Sequence, residues 1–157
     1  MDMVTIRKAT VNDLEILYAF EQGVIAAERP FDTTLKSEPI QYYNLPEMIR
    51  AAHIELAVAE WNNSHIIASG YARIEKAKHY LKHPRHAYLG FMYVLPQYRG
   101  QGINKKIIEY LKNWAALKNI TELRLDVYFA NTPAIKAYEK TGFAKHMLAM
   151  RLGIEDN

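Results

Sequence analysis

Two apolar runs flanking four polar residues constrain this chain most. "IELAVAEW" (54–61) alternates, "NNSH" (62–65) supplies turn residues, and "IIASGYARIEKA" (66–77) returns. Alternation on both sides of a tight Asn-rich turn specifies an antiparallel hairpin. A third run, "AYLGFMYVL" (87–95), follows the linker "KHYLKHPRH" (78–86). Three such strands need a sheet whose apolar faces are covered by other elements.

Those elements are legible on either side. "VTIRKA" reads as a strand from Val4 to Ala9. Thr10 and Asp13 resemble a capping box with the shorter acid. A helix follows to about Glu28, its faces traced by Leu14, Leu17, Tyr18, Glu21 and Ile25. "RPFDTTLKSEP" (29–39) is loop by composition, and Asn44 with Pro46 opens a short helix through Ala52. After the third run come a helix from about Gly102 to Lys118 and a strand "ELRLDVYF" (122–129). A helix "NTPAIKAYEKT" (131–141) closed by Gly142 and a last strand "AKHMLAMRL" (144–152) complete the order. The order β-α-α-β-β-β-α-β-α-β predicts an α/β (α+β) chain. Its sheet is mixed and mostly antiparallel, with helices on both faces. The expected organisation is a single domain over residues 1–157.

Composition excludes little else. Cysteine is absent, which removes disulfides and thiolate metal sites. The polar start "MDMVTIRKAT" has no apolar core of a secretory signal. No apolar run has the length of a membrane span. The expected place is the cytoplasm, with no membrane partner. A net charge of +3 is too small to announce nucleic-acid binding but suits a small polyanion.

The polyanion has a candidate seat in "VLPQYRGQGINKK" (94–106). Gly100 and Gly102 sit two apart between a strand and a helix. Such a turn aims several backbone N–H groups one way, and the helix dipole adds to them. Lys105 and Lys106 stand where the dipole is already positive and acids are favoured. Arg99 adds a third charge. Two known anion loops fail here. The P-loop requires Lys-Ser/Thr after its second glycine, where this chain has Ile103 and Asn104. The dinucleotide fingerprint requires glycine at position 105, which is Lys105. What fits is Gln/Arg-x-x-Gly-x-Gly/Ala, met by Gln97, Gly100 and Gly102.

With these residues the chain resembles the GNAT superfamily of N-acetyltransferases. "VLPQYRGQGI" is similar to that family's pyrophosphate loop. The resemblance implies acetyl-CoA as co-substrate, held by backbone amides of Arg99, Gly100, Gln101, Gly102, Ile103, Asn104 and Lys105. Asn104 departs from the small residue common there. A second motif agrees. "NTPAIKAYEKTGF" carries Asn131, Ala134, Tyr138, Gly142 and Phe143 at the family's spacing. Asn131 and Tyr138 are seven apart and share a helix face, with small Ala134 between them. The resemblance gives Asn131 the cofactor arm and makes Tyr138 the acid that protonates the departing thiolate. Asn131 as a plain N-cap and Tyr138 as a packed core aromatic are the bland alternatives. The donor for the thioester carbonyl is implied near Tyr93 or Val94.

The implied reaction is direct attack of an amine on the thioester. Many relatives carry a Glu on the fourth strand, and "AYLGFMYVL" has no acid. Glu75 acting through water, Glu28 and Asp32 are candidate bases. A water chain without a dedicated base, or solvated carboxylates, are the alternatives. The acceptor site is expected partly in "GVIAAERPFDTTLKSEPIQYYN" (23–44), with Glu28, Phe31, Asp32 and Tyr43 as its candidates. The acceptor is a small-molecule or peptide amine. A protein Lys or N-terminal acetyltransferase and a catalytically silent acetyl-CoA sensor are the rival functions. The resemblance leaves room for a homodimer. His79, His83 and His86 are expected on a solvated basic hairpin, and neither a metal nor a nucleic acid is expected as a partner.

Overall fold

The computed structural model describes residues 3–155. The chain separates into two compact units, Met1–Asp126 and Val127–Asn157.

The first unit holds one five-stranded sheet in the order β1 (Val4–Lys8), β2 (Ile54–Trp61), β3 (His65–Lys76), β4 (Arg85–Val94), β5 (Leu123–Arg124). The first three junctions are antiparallel and β4–β5 is parallel. The β2–β3 hairpin turns through Asn62 and Asn63, with φ of 48° and 56°. Asn tolerates that left-handed backbone, which hairpin turns require.

Helix α1 (Leu14–Glu28) and helix α2 (Leu45–Arg50) cover one sheet face. Leu17, Phe20 and Leu45 pack there with Leu56, Val58, Tyr71 and Phe91. Helix α3 (Ile103–Leu117) covers the other, with Ile107 set over Gly70. Coverage on both sides explains a departure from simple alternation. Leu56, Ala57, Val58 and Ala59 are all fully buried, and so is most of Glu55, whose carboxylate takes a 2.6 Å hydrogen bond from the Tyr110 hydroxyl of α3. A strand buried on two faces must answer its polar side chains internally.

The capping signals are realised. The Thr10 N–H donates to Asp13 Oδ2 at 2.8 Å. Asn44 Oδ1 accepts from Glu47 N–H at 3.3 Å and opens α2.

In the second unit, helix α4 (Thr132–Lys140) follows the Asn131 cap, whose Oδ1 accepts from Ala134 N–H at 3.4 Å. Two expected strands differ from the sequence pattern. "ELRLDVYF" pairs only at Leu123 and Arg124. Residues 144–152 form no ladder at all, and Met147, Leu148, Met150 and Leu152 are exposed. Alternation makes a segment suited to pairing but does not supply the edge that receives it.

Candidate functional site: a bulged strand, a glycine turn and a braced loop

The site begins with a fault in a ladder. Ser69 pairs with Tyr93 and Tyr71 pairs with Gly90. One residue of β3, Gly70, therefore faces two of β4, Phe91 and Met92. This is a β-bulge. Phe91 takes φ of 55°, uncommon for a bulky residue. The buried Ser69 hydroxyl donates to the Phe91 carbonyl at 3.0 Å and fixes the distortion. Tyr71 lies over Gly90, where an added Cβ would stand 2.5 Å from the phenol oxygen.

Beyond the bulge the strand turns a useful edge outward. Leu95 N–H donates to Ile67 O in β3 at 2.8 Å. Alternation then aims the N–H and C=O of Val94 at the opposite edge. The Val94 carbonyl there accepts from Arg99 Nε at 2.9 Å. β5 pairs only with Ala87 and Tyr88, so it leaves this part of β4 unpaired. Tyr93 points to the α1 face, its ring 5.0 Å from Phe20 and against Gly23. Arg99 sits over that ring at 5.6 Å. Its guanidinium is thus tied back to β4.

The glycine turn follows. Pro96–Tyr98 make a 3-10 turn, and Gly100 and Gly102 take φ of 79° and 77°. Gly102 caps α3, whose first turn carries no acid. A Cβ added at either glycine would meet nothing within 4 Å. The backbone conformation demands glycine, and the space above it is open to a ligand. Ile103 anchors the turn by burying its side chain at 3 % exposure. Gln101 and Lys105 are exposed, and Asn104 is half-buried. An open, cationic, acid-free helix start fits a phosphate group.

The loop between α1 and α2 is tightly braced. Arg29 donates to the carbonyls of Lys36 at 2.6 Å and Glu38 at 3.2 Å. Asp32 accepts from Thr34 N–H at 3.0 Å and closes a turn. Glu28 accepts from the Tyr42 hydroxyl at 2.8 Å. Tyr43 packs at a tilt on Phe91 at 4.8 Å and meets Tyr71 edge-on at 5.9 Å. Burial pushes its phenol well above the ordinary tyrosine range, so it stays protonated. Phe31 is half-buried at the end of a short 3-10 turn.

Glu75 lies further along β3. It holds Arg73 at 2.7 Å and His86 at 3.1 Å. Arg73 in turn lies over Tyr71 at 5.5 Å and Tyr88 at 5.4 Å. The Tyr88 hydroxyl donates to Asp126 at 3.2 Å, and burial raises its pKa strongly. The expected solvated histidine hairpin is corrected in part. His79 is exposed, but His83 lies 3.4 Å from Glu122 and His86 meets Glu75. Acids distant in sequence are brought to them by the β3–β4–β5 ladder. Among the described residues, no group of three or more His, Cys, Asp or Glu is arranged to hold a metal.

The second unit carries the other motif. Asn131, Ala134 and Tyr138 form the half-buried face of α4, while Thr132, Pro133, Lys136 and Ala137 are exposed. Tyr138 meets Phe143 edge-on at 5.9 Å. Asn131 caps the helix.

Sequence reasoning passed over Ser69, Tyr71, Arg73 and Tyr88 as site-bordering residues. It also passed over Glu21, an acid on the apolar face of α1. That placement was the available signal.

Known proteins give this geometry a context. A thialysine N-epsilon-acetyltransferase from Mus musculus is 43% identical over 58 residues, which is 37% of this chain and 34% of that protein. The match thus spans about a third of the length of that curated relative. A predicted acetyltransferase from Clostridium acetobutylicum, solved with acetyl-CoA, superposes with a TM-score of 0.70 at 24% identity, covering 96% of both chains. An aminoglycoside 6'-N-acetyltransferase from Acinetobacter haemolyticus superposes with a TM-score of 0.73 at 15% identity, covering 98% and 99%. The two superpositions speak to the fold. The acetyltransferase (GNAT) family matches residues 18–143, running from α1 through the glycine turn to the end of the second motif, and the chain belongs to that family.

Proposed function

We propose that this protein transfers an acetyl group from acetyl-CoA to the primary amine of a small molecule by direct attack. The observation that carries the reading is the glycine turn. Gly100 and Gly102 have left-handed backbone and open space above them, at a helix start with cations and no acid.

Backbone amides from Arg99 to Lys105 hold the pyrophosphate, with charge from Lys105. Acetyl-CoA supplies the acetyl thioester. The Val94 N–H, on the unpaired edge of β4, donates to the carbonyl oxygen as negative charge grows there. Asn131 and Ala134 take the cofactor arm, and Tyr138 gives its proton to the departing thiolate. The roles on α4 rest on the family pattern. The amine nitrogen bonds to the carbonyl carbon as the carbon–sulfur bond breaks; the nitrogen's excess proton leaves to water, and water returns a proton to Tyr138.

An alkylamine has a pKa of about 10.4, so it must be stripped of its proton before attack. Glu28, Asp32 and Glu75 are the acids on the acceptor side, with Phe31 and Tyr43 as apolar walls. Each acid already holds a protein partner. That supports proton loss through water rather than through a dedicated carboxylate. The aminoglycoside and thialysine activities named for relatives support a small cationic amine as acceptor. The reading takes residues 1–157 as one acetyltransferase domain, places the enzyme in the cytoplasm and admits a homodimer.

The test is thiol release from acetyl-CoA across lysine analogues, polyamines, aminoglycosides, amino sugars and Lys-bearing peptides. Turnover on one of the small amines is the expected result. Turnover on peptides alone would move the assignment to protein acetylation. Coenzyme binding without turnover on any amine would overturn the enzyme reading in favour of a sensor.

A further inference from the structure

Glu21 is a fully buried carboxylate on α1, among Leu17, Phe20, Val24 and Ile25. Burying a charge is costly unless strong partners answer it. Its partners here are two backbone amides from the far end of the next loop. Oε2 accepts from Tyr42 N–H at 2.7 Å and from Tyr43 N–H at 2.8 Å. Oε1, also buried, has no hydrogen-bond partner among the described residues. One helical face repeats the device. Glu28, two turns on, accepts from the Tyr42 hydroxyl at 2.8 Å. Two acids of α1 therefore grip two consecutive residues.

What they grip faces the bulge. With its amide fixed by Glu21, Tyr43 sets its ring 4.8 Å from Phe91, the left-handed residue of the bulge. The Phe91 backbone is held in turn by the Ser69 hydroxyl, which donates to its carbonyl. A continuous path runs from Glu21 through Tyr43 to the distorted stretch of β4 that ends in Val94. An apolar side chain of the same volume would leave the Tyr42 and Tyr43 amides without an acceptor, so the carboxylate itself fixes this end of the loop.

We propose that Glu21 is a positioning residue of the acceptor site. Its carboxylate clamps Tyr42 and Tyr43 so that the acceptor loop keeps one fixed wall against the β4 bulge. This rests on the acetyltransferase reading above. The glycine turn lies on a separate segment, so the clamp acts on the acceptor side and leaves the pyrophosphate seat alone.

Glu21→Met fills the volume and removes the acceptor oxygens; Glu21→Gln keeps one oxygen for both amides. Three experiments would be run: steady-state kinetics for acceptor KM and kcat, calorimetry for acetyl-CoA affinity, and hydrogen exchange at the Tyr42 and Tyr43 amides. In Glu21→Met the acceptor KM should rise roughly tenfold or more and the two amides should lose protection, the free-energy scale being that of unmade hydrogen bonds. Acetyl-CoA affinity should stay within about twofold, since the clamp touches no residue of the turn. Glu21→Gln should restore both the KM and the protection. An unchanged acceptor KM, a parallel loss of coenzyme affinity, or a Gln variant as impaired as the Met variant would each overturn the proposal. If Glu21→Met fails to fold, Glu21→Asp, which withdraws the oxygens by one methylene, carries the same expectations. A wild-type protein that acetylates no amine would defeat the functional reading instead. Amide exchange then judges the clamp alone, and unchanged protection in the variant sinks it.

Discussion

The Ser69 hydroxyl donates to the carbonyl of Phe91 across the β3–β4 ladder, 3.0 Å away and buried. This one bond closes the gap left where Gly70 faces two residues of β4. Without it the Phe91 carbonyl loses a buried donor beside a left-handed φ. Ser69→Ala should cost about 1–3 kcal/mol of stability, the usual penalty for such an orphan. Turnover should fall as well, because the bulge sets the approach of Val94. Urea unfolding and steady-state kinetics on the same preparation check both effects. Full turnover in a measurably destabilised variant would separate the bulge from the chemistry.

The glycines divide into two kinds, and substitutions should tell them apart. At Gly102 nothing lies within 4 Å of an added Cβ, and only the φ of 77° resists a side chain. Gly102→Glu should therefore lose only about 1–2 kcal/mol of stability from the left-handed backbone. Its acetyl-CoA affinity should drop roughly tenfold or more, because a carboxylate then faces the phosphate seat. At Gly70 a Cβ would stand 2.6 Å from Met92 Sδ and 2.8 Å from Ile107 Cγ2. Gly70→Ala should cost about 1–3 kcal/mol by overpacking, with coenzyme affinity kept. Calorimetry and thermal unfolding on both variants give the comparison. Intact affinity in Gly102→Glu would remove the phosphate from the turn.

Much of this was legible in the chain because local rules carry it. The Asn-rich turn, the Asn131 and Asn44 caps, and the paired glycines each act through their own neighbours. The bulge was not legible. It depends on a register between Ser69 and Tyr93 that no short window contains. Glu75 and Glu122 could not be assigned as partners of His86 and His83, since strand pairing alone joins them. Residues 144–152 show the converse. Their alternation is plain, yet the ladder it suggests does not form.

At the start of the chain, acid should reveal a half-buried ion pair. Arg7 donates to Asp13 through both terminal nitrogens, at 2.9 Å and 3.0 Å, and to Glu60 through Nε at 2.7 Å. Burial pushes the Asp13 pKa up, but the hydrogen bonds from Arg7 and Thr10 outweigh it and hold the group below its ordinary 3.8. A carboxylate whose folded pKa is depressed stabilises the fold fully above its unfolded pKa. That contribution is lost as pH falls through the folded value. Asp13→Asn should thus be about 1.5–3 kcal/mol less stable than wild type at neutral pH, the value of hydrogen bonds to a charged group. The gap should close below about pH 4. Urea titrations at neutral and acid pH measure it, and a gap independent of pH would show that packing, not charge, ties Asp13 in place.

Tyr138 carries the sharpest kinetic expectation. It stands on the half-buried face of α4 with Asn131 and Ala134, braced edge-on by Phe143 at 5.9 Å. Tyr138→Phe keeps the ring, so Phe143 retains its packing partner. Only the hydroxyl is lost. If it protonates the departing thiolate, turnover should fall by about two orders of magnitude, the lower range for a positioned acid. The loss is bounded because a thiol, with a pKa of about 8.5, is already a fair leaving group. An interaction made only in the transition state lowers kcat and kcat/KM together and leaves acetyl-CoA affinity alone. Donors of lower thiol pKa should narrow the gap between variant and wild type, since they need the proton less. Parallel losses with every donor would point to a role in placing the coenzyme arm, shared with Asn131, and take the proton from Tyr138.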